Sequence, residues 1–138
     1  MKMSKSDENE NATVRILDDR DTVIRKFKRA VTDSDTVVRY GDDKPGISNL
    51  MSIYSCFTGQ DYDAIQHEFE GRGYGDFKLA VGETCADALA PVRTRFAELM
   101  ADKGYLESIA RDGAARASYL ARKTLSKVYR KVGFVEFK

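Results

Sequence analysis

Residues 47–59, ISNLMSIYSCFTG, show a clear helical pattern. Apolar side chains recur at positions 47, 50, 51 and 54, and this spacing of three and four places them on one face of an α-helix. Gly59 follows the last turn, where glycine commonly ends a helix in the left-handed conformation. The segment therefore predicts an amphipathic helix that buries one face and stops at Gly59.

Similar spacing on both sides of this segment predicts further helices, at about 18–31, 61–69, 76–102, 106–113 and 114–132. Either Asp18 or Asp19 can cap the first, and Pro91 predicts a kink in the longest. Only Thr13–Leu17 alternates apolar and polar residues, which indicates a short strand or extended segment. We therefore expect an all-α helical bundle of five or six helices, preceded by a loop and this extended segment. The spacing also predicts that many apolar side chains face inward, among them Val31, Phe96, Met100, Val128 and Val132.

The composition describes one neutral globular domain. The chain has 138 residues, 42% of them apolar, and 23 Lys and Arg against 22 Asp and Glu give a net charge of +1. Its apolar runs are far shorter than the roughly 20 residues needed to cross a bilayer. Because no apolar segment follows the N-terminal lysines, no secretory signal is predicted. We expect a cytoplasmic protein with no membrane or DNA partner.

Cysteine and histidine are scarce, which limits the possible chemistry. Cys56 and Cys85 are the only cysteines and His67 is the only histidine, so no zinc-ligand pattern is present and no metal site is predicted. We expect both thiols to be buried and reduced. A single histidine also argues against a Ser/His/Asp or Cys/His catalytic site.

Positive charge is concentrated near the C-terminus. Residues 114–138 hold seven Lys and Arg against one Glu, a local net charge of +6. This end is either a phosphate-binding surface or a solvated helix face whose cations meet the helix dipole. The first interpretation makes Arg116, Arg122, Lys123, Lys127 and Arg130 candidate contacts. Tyr105, Tyr119 and Tyr129 could stack on nucleic-acid bases, although packing at the edge of a core is the favoured interpretation.

The most specific motif lies at the start, where residues 2–6 read KMSKS. Two lysines three residues apart, with serine hydroxyls beside them, can close on a polyphosphate. Lysine suits this role because its compact charge sits on a flexible stem that can follow moving phosphoryl groups. A solvated tail is the alternative interpretation of the same residues.

These five residues resemble the lysine-serine signature loop of the class I aminoacyl-tRNA synthetases. Later segments resemble the bacterial tryptophanyl branch of that family, in the same order and at similar spacing. They are AVTDSD at 30–35, RY at 39–40, KPGISNL at 44–50, FEG at 69–71, YG at 74–75, DGA at 112–114 and VGF at 132–134. The resemblance covers essentially the whole chain, whereas the tyrosyl enzymes share the loop but differ in the later segments.

The resemblance implies roles for the loop residues. Lys5 would be the main catalytic ligand of the ATP phosphates, assisted by Lys2 and Ser4, and the ATP-binding loop would comprise Lys2, Met3, Ser4, Lys5 and Ser6. The intact enzyme would use ATP with Mg²⁺ to activate L-tryptophan, transfer it to tRNA(Trp) and act as a homodimer. Residues 1–17 would then be the loop and connecting segment of the catalytic domain. Residues 18–138 would be the helical, C-terminal anticodon-binding domain.

One departure from the family is large. The second class I signature, His-x-Gly-His, is missing, and no strand–helix alternation precedes Lys2. We therefore expect a C-terminal part of a synthetase that binds no cofactor and catalyses no reaction alone. The alternative is a free-standing α-helical tRNA-binding or interaction module without ligase activity. Arg39, Tyr40 and Lys44 are expected to help hold the signature loop.

Overall fold

The computed structural model describes residues 9–134. A 3₁₀ turn, Glu10–Ala12, precedes five α-helices: α1 (Arg20–Lys28), α2 (Pro45–Thr58), α3 (Tyr62–Glu68), α4 (Tyr74–Ala101) and α5 (Lys103–Val132). Residues 9–134 contain no β-strand, which confirms the all-α prediction. Of the two alternatives for Thr13–Leu17, the strand is therefore wrong, because no second strand among the described residues supplies hydrogen-bond partners. Residues 13–15 form a connecting segment without regular secondary structure, and residues 16 and 17 form a turn.

The ends of the first three helices follow their capping residues. Asp19 accepts a hydrogen bond from the Thr22 N–H at 2.7 Å, and Asp61 accepts one from the Ala64 N–H at 2.8 Å. Gly59 ends α2 with φ of 75°, as its position predicts. Helix α2 begins at Pro45, two residues before the apolar repeat, because the fixed φ of proline suits the first helical turn.

Helix α4 matches the long helix expected at about 76–102 and contains Pro91, as predicted. The two helices expected at 106–113 and 114–132 are instead one helix, because α5 continues past Gly113. A glycine in a helix interior costs only about 1 kcal/mol relative to alanine, and alanines follow Gly113 directly. Asp102 separates α4 from α5, and its side chain accepts the Tyr105 N–H at 2.9 Å.

The chain divides after Thr94 into two units, Met1–Thr94 and Arg95–Lys138. The core of the first unit is built from α1, α2, α3 and the first half of α4. Three aromatic rings lie in it edge to face, with ring centroids 4.9 Å apart for Phe69 and Phe77 and 5.7 Å apart for Tyr54 and Phe69. Phe77 is completely buried. Tyr54 lies on α2, Phe69 directly follows α3 and Phe77 lies on α4, so this cluster joins α2 and α4 to the end of α3.

Two close backbone approaches depend on missing side chains. A Cβ atom on Gly82 of α4 would lie 3.0 Å from Ile24 Cα in α1. A Cβ atom on Gly46, in the first turn of α2, would lie 2.6 Å from the Val31 carbonyl oxygen. Both distances are shorter than a relaxed carbon contact of about 3.5–4.0 Å. Gly82 therefore allows α4 to approach α1 closely, and Gly46 allows α2 to approach the loop after α1.

Several predictions of burial were wrong. Val31 is 90% exposed, and Phe96, Met100, Val128 and Val132 remain about half exposed. Helical spacing determines which side chains share a face but not whether another element covers that face. Cys56 is also exposed, whereas Cys85 is buried and its burial raises the pKa of the thiol. Among residues 9–134, no helix is both long and apolar enough to cross a membrane.

Candidate functional site

The predicted ATP-binding residues, Lys2, Met3, Ser4, Lys5 and Ser6, lie outside the described residues, which begin at position 9. The segment that follows them is held against α1. Lys26, a nearly buried lysine of α1, donates hydrogen bonds to the Thr13 carbonyl at 2.7 Å and to Asp18 Oδ2 at 2.6 Å. Val14 packs against the core between these two anchors. Residues 13–18, which follow the motif in the sequence, therefore have a defined position against α1.

A polar cluster, in which Lys44 and Tyr74 are buried, lies between the loop after α1 and the start of α4. Lys44 is only 3% exposed, and its Nζ donates to Tyr74 Oη at 2.7 Å and to Asp35 Oδ2 at 2.5 Å. The Tyr74 hydroxyl donates in turn to Asp33 Oδ1 at 2.8 Å. Asp33 Oδ1 is also 3.4 Å from Lys44 Nζ. The ammonium group therefore has three oxygen partners, which compensate for its loss of water.

Ionisation in this cluster follows from its hydrogen bonds. The Lys44 ammonium lowers the pKa of Asp35 to about 2 from an ordinary value of 3.8. The Tyr74 hydroxyl is the main group that lowers the pKa of Asp33, and burial raises the pKa of Tyr74. Both carboxylates and the ammonium therefore stay charged at neutral pH while the phenol stays neutral. None of these groups titrates near pH 7, so the cluster suits a fixed clamp on residues 33–44 better than acid–base catalysis.

Of the three residues expected to hold the signature loop, Lys44 belongs to this polar cluster, whereas Arg39 and Tyr40 have other partners. The Arg39 guanidinium pairs with the Asp43 carboxylate, and Ser48 Oγ accepts the Gly41 N–H at 3.0 Å. Lys44 reaches inward to the polar cluster. Their contact with the signature loop stays a prediction because that loop lies outside the described residues. Sequence analysis missed the Lys44–Tyr74 bond, since the two residues are 30 positions apart.

Acidification is expected to destabilise the protein through this cluster. The pKa of Asp35 is about 2 in the folded chain and 3.8 ordinarily, so the unfolded chain binds the proton first as pH falls. The stabilisation is complete above about pH 4 and is lost between pH 4 and 2. Urea unfolding at both ends of this range should show a smaller pH effect for Asp35→Asn than for the wild type.

Asp42→Asn is the matched control for this measurement. Asp42 is an exposed carboxylate in the same loop, and within residues 9–134 it has no ion-pair partner closer than 4.0 Å. Its variant should keep the full acid sensitivity of the wild type. Equal acid sensitivity of Asp35→Asn and the wild type would contradict the assigned role of Asp35.

The predicted tRNA-binding residues all lie on α5, which has no buried residue. Four of them share one face: Arg116, Lys123, Lys127 and Arg130 are separated by seven, four and three positions, an arc of roughly 60° at 100° per residue. Arg122 lies outside this arc. We call the four residues the basic face. Arg116 is 3.4 Å from Asp112, whereas Lys123 and Lys127 have no ion-pair partner within the described part of the chain.

The tyrosines singled out on α5 differ in their surroundings. Tyr119 is 69% exposed and Tyr105 is about half exposed, while Tyr129 packs edge to face on Phe134 with ring centroids 5.7 Å apart. Packing at a core edge was the wrong expectation for Tyr119. A tyrosine can pack at a core edge or stack on a base, so its residue type did not decide between these two roles. The exposure of the Tyr119 side chain excludes packing at a core edge.

Comparison with known proteins gives consistent results. The chain is 47% identical over 134 residues to a tryptophan–tRNA ligase of Clostridium acetobutylicum and 42% identical to one of Wolinella succinogenes. Each match covers 97% of this chain, and the two matches cover 40% and 41% of the respective relatives, so the chain spans about two fifths of the length of these relatives. The crystal structure of tryptophanyl-tRNA synthetase from Mycoplasma pneumoniae shares the fold. It has a TM-score of 0.64 and 24% identity, and the match covers 96% of this chain and 41% of that one.

A family model supplies the remaining comparison. The model described as tRNA synthetases class I (W and Y) matches residues 1–90, which include the KMSKS motif, the polar cluster around Lys44 and the aromatic core. This match extends over well more than half of the 138 residues. The chain therefore belongs to the class I tRNA synthetases of the tryptophan and tyrosine type.

Proposed function

We propose that the chain is part of a tryptophan–tRNA ligase that activates L-tryptophan with ATP and transfers it to tRNA(Trp) in the cytoplasm. The 47% identity to a relative named tryptophan–tRNA ligase, over 97% of the chain, is the observation that carries this proposal. Residues 1–17 supply the ATP-phosphate loop and its connection, and residues 18–138 form the tRNA-binding region. The intact enzyme acts as a homodimer.

The KMSKS residues act on the triphosphate. Lys5 binds the phosphates as the bond to pyrophosphate breaks, and Lys2 and Ser4 assist, while ATP enters with its Mg²⁺ as substrate. Ammonium groups that approach the phosphates most closely during the reaction stabilise the transition state more than the ground state, and this difference raises the rate. The Lys26 anchors on Thr13 and Asp18 support this role because they fix the chain shortly after the motif.

The chain alone is proposed to be inactive, because the family's nucleotide-binding fold is built on a parallel sheet and residues 9–134 contain no strand. Co-expression with the part of the Clostridium acetobutylicum relative that lies outside the match should restore tryptophan-dependent ATP–pyrophosphate exchange. A chimera joining the two parts in one polypeptide covers the case in which they fail to associate. The proposal is wrong if the chimera folds and catalyses no exchange.

The basic face on α5 is proposed to bind the tRNA backbone. Reversing Lys123, Lys127 and Arg130 to Glu together should weaken tRNA(Trp) binding and reduce the slope of log Kd against log salt by about 2–3, since each lost phosphate contact removes about 0.7–0.9. Filter binding across a salt series measures both quantities. The full chain is used, and circular dichroism checks that the helices persist.

Arg122→Glu tests whether position on α5 matters. Arg122 carries the same charge but lies outside the basic face, so we expect a smaller loss of affinity and a smaller change in slope per residue. If the triple reversal leaves the salt slope unchanged, the basic face is only solvated. Salt-sensitive tRNA binding by a chain whose chimera is inactive would favour the free-standing tRNA-binding module.

A further inference from the structure

Tyr40 and Tyr62 form a stacked pair at the surface of the first unit. Their ring centroids are 4.1 Å apart and their planes differ by 11°. Tyr62, the first residue of α3, packs against the core, and its hydroxyl is 3.2 Å from Ser52 Oγ. Tyr40 remains 45% exposed although Tyr62 covers one side of its ring. The pair therefore presents aromatic surface to solvent on a support anchored in the core.

The backbone around Tyr40 is held in place. The Tyr40 N–H donates to Gln66 Oε1 at 3.1 Å, and Gln66 Nε2 donates to Asp63 Oδ1 at 3.2 Å. The next residue, Gly41, exchanges two hydrogen bonds with Ser48 Oγ, at 3.0 and 2.8 Å. A ring held in this way loses little conformational freedom when a ligand stacks on it, which favours binding.

An open cleft of about 570 Å³ lies next to this platform. Residues 36–39 form one wall, and the end of α3 with the following turn forms the other. Arg39, Gln66, His67 and Glu70 line it and supply both hydrogen-bond donors and acceptors. The two tyrosines do not line the cleft, but Arg39, which precedes Tyr40, does, and Gln66 both lines the cleft and binds the Tyr40 backbone, so the cleft adjoins the backbone that carries the platform.

We propose that Tyr40 and this cleft bind an unpaired nucleobase of RNA. Single-stranded bases are recognised by stacking on aromatic rings and by hydrogen bonds to their polar edges, and both features occur here side by side. Arg39 and Glu70 both line the cleft, so it offers a donor and an acceptor. This suits the edge of a base, which carries both kinds of group, better than a phosphate, which the Glu70 carboxylate would repel. The proposal rests on the proposed tRNA-binding function and assigns one of its contacts to Tyr40.

A fluorescent RNA tests the stacking directly. The probe is a seven-nucleotide single-stranded RNA with 2-aminopurine at its centre, and the chain contains no tryptophan that would add to the signal. Binding to the full chain should quench the probe. Tyr40→Leu should weaken binding roughly 5- to 150-fold, the loss expected for one base–aromatic stack, and Tyr40→Phe should keep it because the ring remains.

Phe57→Leu is the matched control, because the exposed fraction of Phe57 is 43%, near the 45% of Tyr40, and Phe57 has no ring partner within the described residues. It should bind the probe like the wild type. A 4-thiouridine version of the probe, photo-crosslinked to the unmodified chain, should label residues 36–40 or 66–71, and this measurement does not depend on how Tyr40→Leu folds. No binding at millimolar protein, crosslinks elsewhere, or wild-type affinity of a folded Tyr40→Leu would overturn the proposal.

Failure of this inference is distinguishable from failure of the proposed function. The same variants are tested for salt-sensitive binding of tRNA(Trp) and, in the chimera, for ATP–pyrophosphate exchange. If exchange and tRNA binding are present but Tyr40→Leu changes neither probe nor tRNA affinity, only the inference is wrong. If the folded chimera catalyses no exchange, the proposed function is wrong whatever the probe shows.

Discussion

Phe77→Ala is expected to lower the free energy of unfolding by about 3–5 kcal/mol, the cost of removing a fully buried aromatic side chain. Phe77 has no exposed surface, and its ring meets the rings of Phe69 and Tyr54 with centroids 4.9 and 6.0 Å away. The cavity left by truncation would remove contacts between α2, α3 and α4 at one point. Urea unfolding followed by circular dichroism measures the change.

The control is a second phenylalanine that is only partly buried. Phe57 on α2 is 43% exposed, so Phe57→Ala removes an apolar group that water already reaches, and we expect a cost below about 1 kcal/mol. The total free energy of unfolding of a small protein is only about 5–15 kcal/mol. The two expected losses are different fractions of this total, so the unfolding midpoints of the two variants in urea should be clearly different. Similar costs for Phe57→Ala and Phe77→Ala would contradict the assignment of the aromatic cluster as the centre of the core.

Lys5→Ala is expected to reduce the rate of tryptophan-dependent ATP–pyrophosphate exchange by about 10²–10³-fold, as does loss of one positioned donor in other active sites. This expectation rests on the proposed function, in which Lys5 binds the phosphates mainly in the transition state. The Michaelis constant for ATP should change less than the rate, because ground-state binding depends on many other contacts. The measurement uses the chimera that joins this chain to the unmatched part of its Clostridium acetobutylicum relative.

Two further variants make the result specific. Lys5→Arg keeps the charge but replaces a compact ammonium with a planar guanidinium, so we expect only partial activity. Lys28→Ala removes an exposed lysine of α1, outside the proposed phosphate loop, and should leave the exchange rate unchanged. If Lys5→Ala and Lys28→Ala behave alike, Lys5 does not bind the reacting phosphates.

Local signals predicted the helices well where capping residues and periodicity agree. Asp19 starts α1, Gly59 ends α2 and Asp61 starts α3, each through a hydrogen bond or dihedral angle that its residue type favours. The prediction failed at Gly113, where the glycine was the only signal for a helix end. Gly113 was expected to end a helix, but the alanines that follow it continue α5.

The candidate site was only partly predictable. Local composition located the cations of α5, and their spacing places four of them on one face once the helix is known to be continuous. The burial of Lys44 was not predictable, because a lysine in a charged, glycine-containing turn is ordinarily solvated. Its partner Tyr74 lies at the start of a distant helix, and no local pattern indicates that the two meet.

The amino-acid sequence by itself determined the all-α class, the caps of the early helices and the family to which the chain belongs. These follow from side-chain type and spacing within a few residues, or from similarity along the whole chain. Only the tertiary structure decided which apolar faces are covered, that Lys44 is buried beside Asp33, Asp35 and Tyr74, and that Tyr40 stacks on Tyr62. Such contacts join residues far apart in the chain, so they depend on how the helices and loops pack rather than on any local preference.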